Sequence, residues 1–179
     1  MSSLTRQQSF EAALDSQTYE SAWRYARRLT DCREDAEDLL QAALTHAYKR
    51  HDQLRDPARF KGWLLSIVRT QFLSWRRSLQ VRPRTVSELP QLSTGEPDPL
   101  ADQLAEVMLK LPEPQREILS LFYIDGLNLE ETGQVLDVDP AAVRQRLYRA
   151  RQALRRKLDS SWEPAGAAVS RGGDCHETI

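Results

Sequence analysis

Residues 128–158 read NLEETGQVLDVDPAAVRQRLYRARQALRRKL, and how this stretch is parsed decides the fold. Asn128 is a good N-cap, and Glu131, three residues on, is placed to return the bond as in a capping box. Leu129, Thr132, Val135 and Leu136 follow at helical spacing, and this first helix stops near Asp137. After the polar turn Asp137-Val138-Asp139, Asp139 caps a second helix. Pro140 takes its first position, where a missing N–H costs nothing. Val143, Leu147, Ala150, Leu154 and Leu158 then recur at i, i+4, i+7, i+11 and i+15 as one buried stripe.

The remaining faces of the second helix carry Arg144, Arg146, Arg149, Arg151, Arg155, Arg156 and Lys157, with no acid between Asp139 and Asp159. Two short helices joined by a tight turn, the second basic, make a helix-turn-helix pattern. Because the stripe fixes the inward face, it also fixes the outward one. At about 100° per residue, Ala141, Gln145, Tyr148, Arg149 and Gln152 point away from the core, with Arg144 and Arg146 on the flanks. A basic amphipathic helix that is merely solvated is the plain alternative. The capped helix before it, the short turn and the one-sided charge favour DNA binding instead.

The chain has 179 residues, 28% of them charged, with a formal net charge of −1, a length that allows two small domains. The run Arg82–Pro99 holds four of the nine prolines and no helical period, so it reads as a linker between two helix-rich blocks. Each block is small enough to be marginal alone, and a partner surface would supply part of its stability. Charge is segregated: Glu113 to Asp139 is acidic apart from Arg116, and the following segment is basic. A local basic patch steers toward phosphate even on a neutral molecule, with modest affinity for free DNA. Cys32 and Cys175 stand alone, which suits a reduced cytoplasmic compartment. There is no apolar run of about 18 residues and no basic-then-apolar leader, so neither a membrane span nor a signal peptide is expected.

From the N-terminus, residues 1–16 predict a short helix using Phe10, Ala13 and Leu14. Thr18 to Leu29 predicts a second, with Tyr19, Ala22, Trp23, Ala26 and Leu29 on one face. Asp31 with Glu34 reads as a capped start of a long helix to about Arg50, packed through Ala36, Leu39, Leu40, Ala43, Leu44 and Ala47. Its acids Glu34, Asp35, Glu37 and Asp38 crowd the end that the helix dipole favours. After a loop at Asp52–Pro57, Phe60, Trp63, Leu64, Ile67, Val68, Phe72 and Trp75 mark the core stripe of a helix to about Leu79. Its opposite face, with Gly62, Ser66, Arg69, Leu73, Arg76 and Arg77, offers a basic edge. Beyond the linker, Leu100–Leu111 is helical and ends at Pro112. Pro114 starts a helix through Tyr123, which Gly126 terminates. No strand pattern appears, so the fold class is all-α.

Two blocks together resemble the two-domain bacterial sigma factors of the extracytoplasmic-function group, within the sigma-70 family. The first is AEDLLQ at Ala36–Gln41, with RFKGWLLSIVR at Arg59–Arg69 and the pair Arg76-Arg77. It resembles the family's region 2, which binds the polymerase clamp and the promoter −10 element. The second is LPEPQREIL at Leu111–Leu119, GLNLEETGQVL at Gly126–Leu136 and AAVRQRLYRARQALR at Ala141–Arg155. It resembles region 4, whose helix-turn-helix reads the −35 element. The resemblance implies a region 2-like helical bundle over 1–80, a flexible linker over 81–100, a region 4-like domain over 101–160 and a disordered tail over 161–179. Five positions depart from the family pattern: Ala42, Thr70, Ser74, Gly133 and Asp137. Gly133 stands where Ala is usual and counts as a loss of about 1 kcal/mol of helix propensity.

By the same resemblance, Asp35, Asp38, Leu39 and Gln41 face core RNA polymerase, with Leu39 or Leu40 as an apolar anchor. Arg59, Lys61, Arg69, Thr70, Arg76 and Arg77 meet the −10 element of promoter DNA. Arg144, Gln145, Arg146, Tyr148, Arg149 and Arg151 meet the −35 element. Gln145 and Arg149 suit base edges, adenine and guanine respectively, whereas Arg144, Arg146 and Arg151 suit phosphates. An anti-sigma factor is a further candidate partner. No cofactor, small-molecule substrate or membrane insertion is implied. A free-standing helix-turn-helix regulator is the alternative, but it leaves Ala36–Gln41 and the Arg69 edge without a task. An enzyme is the poorest reading, since His46, His51 and His176 are scattered and no nucleophile motif appears. Cys175-His176-Glu177 offers too few ligands for a closed zinc site.

Overall fold

The computed structural model describes residues 3–78 and 99–161; among them are eight α-helices, with short 3-10 turns at His51–Gln53 and Pro57–Arg59, and no strand. Of the linker expected over 81–100, residues 81–98 lie outside the described residues, as does the tail beyond Ser161 with Cys175 and His176, whereas Pro99 and Leu100 already belong to a helix. The N-terminal half contains α1 (Ser3–Ala13), α2 (Ser16–Leu29), α3 (Arg33–Arg50) and α4 (Phe60–Ser78). Phe10 pins α1 to this bundle by edge-to-face contacts with Tyr48 at 5.4 Å and Phe60 at 5.6 Å. Asp15 caps α2, accepting from the Thr18 N–H at 2.7 Å.

Two local expectations are corrected here. The N-cap of α3 is Cys32, whose Sγ accepts from the Asp35 N–H at 3.4 Å, and not Asp31. On α2, Tyr25 is fully buried whereas Tyr19 is exposed, so the inward face is turned from the one that spacing suggests. The reason is tertiary: the C-terminal half supplies a second surface for α2 to pack against.

That half contains α5 (Pro99–Leu109), α6 (Glu113–Leu119), α7 (Leu129–Leu136) and α8 (Pro140–Ser161). After α6 the backbone widens into a π turn over Ser120–Ile124, where the Asp125 N–H bonds the Ser120 carbonyl at 2.9 Å. Gly126 ends the segment at φ 68°, and the Leu127 N–H reaches back to the Leu121 carbonyl at 3.1 Å. Such a left-handed cap is what glycine accommodates without steric cost.

The helix-turn-helix forms as its caps dictate. Asn128 Oδ1 accepts from the Glu131 N–H and Glu131 Oε2 accepts from the Asn128 N–H, each at 2.9 Å. Asp137 closes α7 in the left-handed conformation at φ 55°, and Asp139 Oδ1 accepts from the Ala141 N–H at 2.7 Å to start α8. Val143, Leu147 and Ala150 are buried beneath it. Gly133 proves to be a requirement and not a flaw. A Cβ there would lie 2.6 Å from the Val138 carbonyl oxygen, so the turn comes closer than any side chain permits.

The halves do not stand apart. The buried apolar side chains form one cluster from Phe10 to Ala150, and α4 packs against α7 as extensively as against its neighbour α3. Each bundle alone is short of core, and each completes part of the other's.

Candidate nucleic-acid interface

On α8, the buried stripe turns Arg144, Gln145, Arg146, Tyr148, Arg149 and Arg151 outward, and all six are exposed. Tyr148 is 60% exposed, too open to be a packing residue of this fold. Arg151 leans back over the π turn, its Nη1 donating to the Tyr123 hydroxyl at 3.4 Å. The rest of this face presents guanidinium and carboxamide groups at the spacing of successive helical turns, with nothing acidic among them. Such a surface matches the width and potential of a duplex major groove.

The six residues of the N-terminal basic edge divide into two groups. Thr70, Arg76 and Arg77 lie in solvent toward the end of α4. Arg59, Lys61 and Arg69 instead engage the C-terminal half. Arg59 pairs with Glu130 at 2.9 Å, Lys61 Nζ donates to the Asp125 carbonyl, and Arg69 Nε donates to Glu117 Oε1 at 3.2 Å. Between them Gly62 is buried, and a Cβ added there would lie 3.0 Å from the Glu131 Cβ. Of the edge expected to be open, Lys61 and Arg69 are therefore partly covered, whereas Arg59 is paired yet still exposed.

Tyr25 and Asp125 lie at the centre of this contact, each only 1% exposed. The Tyr25 hydroxyl donates to Glu117 Oε1 at 2.8 Å, and Arg28 stacks over the Tyr25 ring at 5.4 Å while its Nη2 pairs with Asp125 Oδ2. Burial raises the pKa of Asp125 above its usual value, although Arg28 draws it back down. Burial, and then the Glu117 carboxylate, hold the Tyr25 phenol well above the ordinary tyrosine value of 10.0. A phenol with a raised pKa in the folded chain keeps its full contribution below the unfolded value and loses it as pH climbs beyond. Stability should therefore fall above a pH of about 10. Tyr25→Phe should flatten that alkaline limb in urea titrations at successive pH values. An equal fall in both proteins would put the phenol in solvent.

A separate groove of about 450 Å³ lies between α3 and α4, lined by Asp35, Asp38, Leu39, Ala42, Gln71, Ser74, Trp75 and Ser78. Gln41 lines the adjoining depression with Asp38, Thr45, His46 and Lys49. The structure thus gathers Asp35, Asp38, Leu39 and Gln41 on one side of the bundle. Leu40 is buried in the core, and Leu39 reaches the groove only as part of its floor. Trp75, assigned to the core by its spacing, is 36% exposed and forms a wall of this groove. Its polar flanks, Gln71, Ser74 and Ser78, were the available sign that the stripe had run past the core. Among the described residues, no helix is long and apolar enough to cross a membrane.

Comparison with known proteins places these surfaces in a family. Residues 15–82 match the family model of sigma-70 region 2, and residues 101–154 that of sigma-70 region 4. The ECF RNA polymerase sigma factor SigL of Mycobacterium tuberculosis is 31% identical over 161 residues, covering 83% of this chain and 90% of that protein. A probable RNA polymerase sigma factor of Xanthomonas campestris, RfaY, is 35% identical over 135 residues. That match covers 69% of this chain, which spans about a third (34%) of that protein's length. Among solved structures, the sigma factor RpoE in complex with the anti-sigma factor NepR from Bartonella quintana is similar, with a TM-score of 0.61 and 25% identity. The likeness covers 79% of this chain and 92% of that one. With both regions present in order and a relative of this similarity matched over nearly its whole length, the chain belongs to the extracytoplasmic-function group of sigma-70 RNA polymerase sigma factors.

Proposed function

We propose that this chain lends promoter choice to bacterial core RNA polymerase in the cytoplasm, carrying no covalent chemistry of its own. The observation that carries the reading is the exposed, acid-free face of α8, held by a doubly capped helix-turn-helix, in a chain that also bears region 2. In this reading the domains divide as region 2 over 1–80, linker over 81–100 and region 4 over 101–160. Gln145 and Arg149 read base edges of the −35 element, while Arg144, Arg146 and Arg151 hold phosphates, with Tyr148 beside them. Thr70, Arg76 and Arg77, joined by Arg59, Lys61 and Arg69, meet the −10 element. The groove of Asp35, Asp38, Leu39 and Trp75, with Gln41 beside it, receives the polymerase. An anti-sigma factor is a fitting third partner, since the similar RpoE structure holds one.

In vitro transcription with core polymerase over a genomic promoter library tests this directly. The expected result is start sites that depend on this chain and share two motifs. Unchanged start sites, or failure to associate with core polymerase, would overturn the reading. Within that assay Gln145→Ala or Arg149→Ala should relax base preference by about 1–3 kcal/mol at one or two positions. Arg146→Ala should instead weaken all promoters alike. Identical behaviour of the three variants would show that the outward face is misassigned.

A further inference from the structure

We propose that the chain carries its own occupant for an apolar groove on the C-terminal half: the segment Trp162–Val169, which follows α8, folds back along that helix and fills the groove. The groove, of about 340 Å³, is lined by Leu104 and Met108 of α5, Leu119 and Ile124 from α6 and the π turn, and Leu154 of α8. Its lining is almost wholly apolar, yet Leu104 is 42% exposed and Tyr123, on the same wall, is 56% exposed. Single surface leucines need no explanation. A contiguous apolar wall that ends on a charged side chain, here Arg151, marks a docking surface.

Connectivity, composition and charge single out this segment. Helix α8 lines the groove through Leu154 and leads from Ser161 directly into Trp162. From Leu154 to Ser161 is about 10 Å along the helix axis. In the register of α8, Trp162 comes four residues after Leu158 and eight after Leu154, on the flank next to the groove. Pro164 denies a helix its hydrogen bond and Gly166 permits a reversal. Ala167, Ala168 and Val169 then regain the same distance at about 3.3 Å per residue. The stretch reads WEPAGAAV, and its one charged residue is Glu163. Trp162 brings the apolar area, while the alanines and Val169 make a narrow ridge that a shallow groove admits. After Ser161 the acids Glu163, Asp174 and Glu177 outnumber the base Arg171, whereas Pro140 to Leu158 carries seven bases and no acid. An acidic segment tethered to a basic helix is drawn back along it. Gln145 and Arg149 point away from the Leu154 side of α8, so the docked segment leaves them open.

Disulfide trapping in the full chain tests this, in a background of Cys32→Ser and Cys175→Ser. Serine is itself a good N-cap, so α3 keeps its start. Leu104→Cys/Val169→Cys puts one thiol in the groove and one on the segment. Leu104 is open enough for the exchange to spare the fold, which far-UV dichroism checks. Glu106→Cys/Val169→Cys is the control, because Glu106 is exposed on the other side of α5 at nearly the same tether length. In a glutathione redox buffer, a segment docked about 90% of the time leaves about a tenth of the molecules free to reach the control site, so the intrachain disulfide should form about tenfold faster with Leu104→Cys. Adding Trp162→Ala should bring the two rates together. Equal rates in the two pairs at the outset overturn the proposal, as does a preference that Trp162→Ala leaves undiminished. A mainly interchain disulfide that rises with protein concentration overturns it in favour of a second copy as the occupant.

Discussion

Arg28→Ala is expected to cost about 3 kcal/mol, the low end for removing one partner of a buried ion pair. The Arg28 side chain is 10% exposed and that of Asp125 is fully buried, so the variant leaves a carboxylate without its main counter-charge. Arg24 and Lys61 lie near enough to soften the loss but not to replace the bond. The chain has a way out that a single core lacks, because separating the halves returns Asp125 to water. If closure is worth less than the stranded charge, the loss appears as opening and not as unfolding of either bundle. Urea titration followed by far-UV dichroism and tryptophan fluorescence, with scattering as a monitor of shape, resolves the two. Adding Asp125→Asn to Arg28→Ala should recover part of the loss, since the uncompensated charge is then gone. A change under about 0.5 kcal/mol, with shape unaltered, would mean that Asp125 is not buried against Arg28.

Gly133→Ala is the second large effect, and its sign opposes simple helix propensity. Alanine in a helix interior is ordinarily favoured over glycine by about 1 kcal/mol. Here the new methyl would meet the Val138 carbonyl oxygen at 2.6 Å. Val138 is not free to retreat, because its N–H bonds the Gly133 carbonyl at 2.9 Å and the next turn must deliver Asp139 to cap α8. Overpacking of this kind costs typically 1–3 kcal/mol, and against backbone the upper part of that range applies. The net loss should be about 2 kcal/mol, and more for Gly133→Val, whose branched side chain also crowds Val143. Relief of the clash would swing α8 relative to α7, so promoter binding should fall further than stability alone accounts for. Thermal melts together with binding to a −35 duplex check both parts. A stabilised alanine variant would show that the turn relaxes at no cost.

These two positions mark the boundary between local and long-range information. Asn128, Glu131, Pro140 and each member of the stripe from Val143 to Leu158 act on neighbours one or two helical turns away. Their types and spacing therefore determine the helix-turn-helix, its caps and the outward direction of Arg144, Gln145 and Arg149 without any tertiary contact. The motifs around Ala36–Gln41, Arg59–Arg69 and Ala141–Arg155 likewise carried the family. Gly133 was visible as an oddity, but its reason lay five residues away, in a turn whose closeness no periodicity encodes.

The fate of the α4 edge was decided only by the tertiary structure. Arg69 finds Glu117 48 residues on, and Arg28 finds Asp125 97 residues on. Helical period assigns each helix one apolar stripe, and it is silent about whether the opposite face meets water, DNA or another part of the chain. That silence is why spacing points to Tyr19 where the fold buries Tyr25, and why the stripe runs on to Trp75 past the end of the core. Sequence determined which surfaces this protein makes, because caps and stripes are short-range. Which of those surfaces is covered depended on two bundles each too small to bury its own core, one edged with cations and the other with acids.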